Sequence, residues 1–182
     1  MPISERLIEE IREEFPRFRI VDKAENGLSR LIDFFLKIVT LGGQRRYLSE
    51  YHTVIGDTLY VPIAWAAASD VDRAIVLRHE RVHLRQRRRY GMAWMTFLYL
   101  VPFFPFGLAW GRARIEWEAY TETLRATAEL CGVEAAKDPL LKQKIIGRFT
   151  GPAYGWMWPF GRQVERWYDE VIEELESGVR VS

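Results

Sequence analysis

Hydrophobic residues recur along this chain with two different periods, and the changes between them divide it into elements. Ile3, Leu7, Ile8 and Ile11 fall at helical spacing among Glu9, Glu10, Glu13 and Glu14, which predicts an amphipathic helix ending near Pro16. A second apolar helix is expected over Ser29 to Leu41, with Leu31, Ile32, Phe34, Phe35, Ile38 and Val39 inward and Gly42-Gly43 as its stop. The period then shortens. Tyr47 to Ile55 and Thr58 to Val61 are rich in Tyr, Val, Ile, Leu and Thr, and Gly56-Asp57 between them reads as the turn of a tight hairpin closed by Pro62.

Helical spacing returns after the hairpin. Ser69 or Asp70 supplies an N-cap oxygen for a helix that starts near Val71 and runs through Arg89. Ala113 to Leu130 predicts another long helix, stopped by Gly132, and Asp138-Pro139 opens a shorter one. Phe149 to Phe160 reads as an aromatic, glycine-rich loop. A last amphipathic helix, Gln163 to Leu175, sets Val164, Trp167, Val171, Ile172 and Leu175 on one side and acids on the other. The pattern implies a mostly helical α+β fold with a small antiparallel hairpin.

Composition narrows the function classes. With 182 residues, 48% of them hydrophobic, the chain is expected to form one domain, 1–182, around a proper core. A formal net charge of +1 provides no global field for nucleic acid, so none is expected as a partner. A single cysteine, Cys131, excludes an intrachain disulfide and a cysteine-based metal cluster. The N-terminal stretch lacks the basic and apolar regions of a secretory signal, which makes the cytoplasm the expected address.

The three histidines are His52, His79 and His83, and two of them lie in His79-Glu80-Arg81-Val82-His83, an HExxH arrangement. Four residues slightly exceed one helical turn, so His79 and His83 project from one face and their ring nitrogens can converge on a single Zn²⁺. Glu80 stands beside them as a general base for bound water. The competing interpretation is a solvated surface helix marked by Arg78, Arg81, Arg85, Arg87, Arg88 and Arg89; the cap and helical context that the motif requires weigh against it. A catalytic zinc needs a third protein ligand. With no histidine downstream of His83, the third ligand must be an acid, and the following long helix carries Glu116, Glu118 and Glu122.

His79-Glu80-Arg81-Val82-His83-Leu84-Arg85-Gln86, followed about thirty residues later by Glu116-Trp117-Glu118-Ala119-Tyr120, resembles the gluzincins, and among them the compact minigluzincins. The resemblance covers roughly Tyr47 to Leu130. It implies an active-site helix, a glutamate helix supplying the third zinc ligand, a neighbouring hairpin and flanking terminal helices. Aligned to it, Glu116 takes the ligand position, with Glu118 as its rival about 200° round the helix. Tyr120 takes the place of the residue that orients the first histidine. The resemblance also implies that Thr58 to Val61 is an edge strand on which a peptide or protein substrate lies by strand addition. Tyr154 is a candidate oxyanion donor, with His52 as a second.

Gly91 to Gly111 carries no charge, and at about 1.5 Å per residue it is long enough to cross a bilayer. A single pass would separate His83 from Glu116 by roughly 30 Å, which a shared zinc ion forbids. Pro102, Pro105 and Gly107 break the run into a hairpin, either packed as core or dipping into a membrane surface. The expected function is a zinc metalloendopeptidase, latent if a terminal helix covers its cleft. The rival is a non-catalytic, zinc-stabilised interaction or membrane-surface module, in which Glu80 would have no use.

Overall fold

The structure is a computed structural model, described here over residues 1–22, 52–91, 110–151 and 157–178. It is mostly helical α+β, as the hydrophobic pattern implies, and forms two compact units, Met1–Arg85 and Gln86–Ser182. The helix expected over Ser29 to Leu41, the segment from Tyr47 to Tyr51, the interior of the Gly91 to Gly111 run and Tyr154 lie outside the described residues.

In the first unit, helix α1 (Ile3–Glu14) buries Leu7 and Ile11 and stops just before the turn at Pro16. Strand β1 (Arg19–Asp22) follows, and β2 (Thr53–Ile55) and β3 (Thr58–Val61) form the expected hairpin. Gly56 in its turn has φ 60°, the left-handed conformation that glycine adopts without a Cβ clash. β2 pairs antiparallel to β3, with Ile55 opposite Thr58, and β1 pairs parallel to β3, with Arg19 opposite Thr58 and Asp22 opposite Val61. The order is β1-β3-β2, so β3 is the central strand, and its Leu59, Tyr60 and Val61 are all buried. This overturns the expectation of an open edge at Thr58 to Val61. The hydrogen-bonding groups on both sides of β3 are already paired within the sheet, leaving no row for a substrate backbone.

A short 3-10 turn, Ile63–Ala67, leads into helix α2 (Asp70–Tyr90). Its N-cap is Ser69, whose Oγ accepts from the Asp72 amide at 3.1 Å. Asp70 acts elsewhere: its carboxylate accepts from the Ile3 amide at 2.7 Å and from the Ser4 amide at 3.0 Å, and also from the Ser4 hydroxyl. The first helix therefore takes its cap from the start of α2, and those donors hold the Asp70 carboxyl below its ordinary range. Ala74, Leu77 and Leu84 make a fully buried stripe along α2. At 100° per residue this stripe lies on the side opposite His79 and His83.

In the second unit, α3 (Trp110–Cys131), the single-turn α4 (Val133–Ala136), α5 (Pro139–Thr150) and α6 (Gly161–Ser177) enclose one apolar cluster. Asp138 caps α5 by accepting from the Leu140 amide at 2.8 Å, with Pro139 in the first turn, where a missing N–H costs nothing. Trp117 of α3 meets Phe149 of α5 at 5.9 Å and Trp167 of α6 at 5.4 Å between ring centroids, so large aromatic surfaces set the helix spacing. Tyr168 donates its hydroxyl to the Ala136 carbonyl across the core. Lys142 ties α5 to α6 through Asp169 at 2.7 Å and Glu165 at 3.3 Å. Among the described residues no helix is long and apolar enough to cross a membrane.

Candidate metal centre

α2 presents His79 and His83 from one face, as the four-residue spacing requires, with ring centroids 5.0 Å apart and planes at 75°. One ligand atom from each, together with a carboxylate oxygen of Glu116 on α3, all lie within 4.8 Å of one another. Two imidazoles and a carboxylate are a donor set that suits zinc. The spread also fits. Bonds of about 2.1 Å place tetrahedral donors roughly 3.4 Å apart, so movements of about 1 Å at the side-chain tips close the set.

Both acids at this place are buried. Glu116 is only 3% exposed and Glu80 only 6%. Glu80 immediately follows His79, about 100° round α2 from it.

Comparison with family models, with curated proteins and with solved structures returns no match. The site is therefore read from its own chemistry.

Glu118, the rival ligand, is engaged differently. Its Oε2 accepts from Gln86 Nε2 at 2.8 Å, and Arg114 lies 3.9 Å from its other oxygen. Tyr120 packs its ring against Phe149 at 5.6 Å, which places it in the apolar cluster of the second unit. His52 stands just before β2 and meets Trp65 edge to face at 5.4 Å. Arg81 and Arg85 point to the back of α2 and hold α1. Arg85 grips Glu14 through two hydrogen bonds of 2.8 and 2.9 Å, while Arg81 reaches Glu14 at 2.8 Å and Glu10 at 3.1 Å. The Arg85 guanidinium, with Arg81 beside it, lowers the Glu14 carboxyl from 4.5 to about 2. This clamp holds α1 to the side of α2 that carries Arg81 and Arg85.

Sequence reasoning gave Glu10 and Glu14 no partner, and read Asp70 only as a cap for its own helix and Gln86 only as part of the motif. The signal for the two glutamates is present in the chain: Arg81 and Arg85, one turn apart behind the histidines, match the acidic pair Glu10 and Glu14, also one turn apart.

Proposed function

We propose that the protein is a zinc-dependent metallopeptidase of gluzincin type, in which His79, His83 and Glu116 hold the ion and Glu80 is the general base. The observation that carries this reading is the convergence of those three donors beside a buried glutamate. A zinc ion held there supplies Lewis-acid polarisation of the scissile carbonyl and acidifies water.

The chain's own residues supply the rest. His79 and His83 are fixed by the rigid turn between them, and Glu116 is fixed by its place on α3, buried on its own helix between Ile115 and Trp117. The Glu80 carboxylate accepts a proton from the attacking water as its oxygen bonds to the carbonyl carbon. It then delivers that proton to the amide nitrogen as the carbon–nitrogen bond breaks, releasing a carboxylic acid and an amine. Burial keeps bulk water from competing for this proton.

The test compares wild type with Glu80→Gln for zinc content and for cleavage of a generic unfolded protein. The expected result is one equivalent of zinc in both and a loss of about 10²- to 10⁴-fold in rate in the variant. A variant that cleaves as fast as wild type refutes the role of Glu80. A wild type without stoichiometric zinc refutes the site, and a wild type that binds zinc but cleaves nothing favours the non-catalytic module.

A further inference from the structure

Of the four glutamates on α3, Glu116 and Glu118 are the two rivals for the third ligand position, and their directions differ by about 200°. Something must decide which of them serves the histidines. Gln86 lies three residues after His83 on the same face of α2 and is 4% exposed. Its Nε2 donates to the Ile115 carbonyl at 3.0 Å and to Glu118 Oε2 at 2.8 Å. Both amide protons are thus directed at α3, one to the peptide group that joins Ile115 to Glu116 and one to the rival carboxylate. The orientation of the amide is unambiguous: turned over, its oxygen would face a carbonyl oxygen and a carboxylate oxygen, both acceptors. The helical Ile115 carbonyl has a second lone pair for this bond, and the Glu118 contact is charge-assisted and short.

We infer that Gln86 is the positioning residue that selects the third metal ligand: it engages Glu118 and grips the backbone next to Glu116, leaving the Glu116 carboxylate with His79 and His83. This rests on the metal reading above. Gln86 touches neither metal nor substrate and acts through the placement of α3. The sequence spacing His79, His83, Gln86 then has a physical basis, with two ligands and their registration pin on one helix face.

The experiment measures zinc affinity by chelator competition in the full-length protein, wild type against Gln86→Met, a variant of similar shape without the two donors. The melting temperature of each metal-free protein is recorded alongside, as is the visible absorption of each after loading with Co²⁺. The expected result is a loss of zinc affinity of about tenfold or more, with an altered cobalt spectrum. Zinc affinity within threefold of wild type, with an unchanged cobalt spectrum, overturns the inference even if the metal-free protein melts lower, because Gln86 then only packs. If Gln86→Met does not fold, Glu118→Leu reads the same contact from its more exposed side, with a weakening of about tenfold expected and unchanged affinity overturning the inference. A wild type that binds no zinc defeats the metal reading itself and the inference with it. Intact wild-type binding with unaffected variants defeats the inference alone.

Discussion

Replacing Glu14 with Gln removes the charge at the centre of the clamp between α1 and the back of the histidine helix. Glu14 is mostly buried, with a side chain 16% exposed, and Arg81 is 20% exposed, whereas Arg85 is 54% exposed. The fall of the Glu14 carboxyl from 4.5 to about 2 corresponds to roughly 3 kcal/mol of stabilisation of its ionised form in the folded state. Solvent screening of Arg85 reduces this, and about 2 kcal/mol is the expected cost of Glu14→Gln at pH 7. Because the folded-state value is depressed, the contribution is fully present above 4.5 and is lost as pH falls toward 2, with more than half gone near pH 3 by about the same linkage. Urea unfolding of wild type and variant at pH 7, 5, 4 and 3 measures the gap directly. A gap near 2 kcal/mol that narrows below pH 4.5 bears out the reasoning. A gap independent of pH, or no gap at pH 7, refutes it.

Two further substitutions test other joints of the fold. Tyr168→Phe removes the donor to the Ala136 carbonyl inside the second unit and is expected to cost about 1–2 kcal/mol in urea unfolding. Burial pushes the Tyr168 phenol up to about 12, so stability from its neutral form persists to pH 10 and is lost as pH rises toward 12; the ultraviolet titration of wild type should show one late tyrosine that is missing in the variant. Asp70→Ala uncaps α1, and hydrogen exchange at the first-turn amides, starting with Ile3 and Ser4, should accelerate while exchange in α2 beyond its first turn stays slow. In wild type the same acceleration should appear as acid protonates Asp70, at a pH below its ordinary range.

The local elements were legible in the sequence because their signals are local. Ser69, Pro139 and Gly132 mark helix ends by capping chemistry that needs no distant partner, and Gly56-Asp57 marks its turn for the same reason. The donor set was legible by scarcity: two histidines at one helical turn and no third downstream direct attention to the acids of α3, and the structure brings Glu116 rather than Glu118 to them. What was not legible depends on pairing across the chain. β1 is only Arg19–Asp22, four residues with both ends exposed, and its parallel partner lies about forty residues later, so no periodicity announces it. That one strand converts β3 from an edge into the centre of the sheet. Asp70 looked like a cap for its own helix, and its chemistry was read correctly but its recipient was not: it caps α1, 66 residues away at Ser4. Gln86 is visible in the sequence only as the last residue of the motif, because its contacts are with Ile115 and Glu118 on another helix.

The central claim is that His79, His83 and Glu116 hold one zinc ion. Diffraction from crystals of the zinc-loaded protein, recorded on both sides of the zinc absorption edge, tests it most directly. The account predicts a single strong anomalous peak within about 2.0–2.2 Å of an imidazole nitrogen of each histidine and a carboxylate oxygen of Glu116, with Glu118 still bonded to Gln86. A peak bound by Glu118, a peak at another place on the chain, or no peak at these three residues would contradict it.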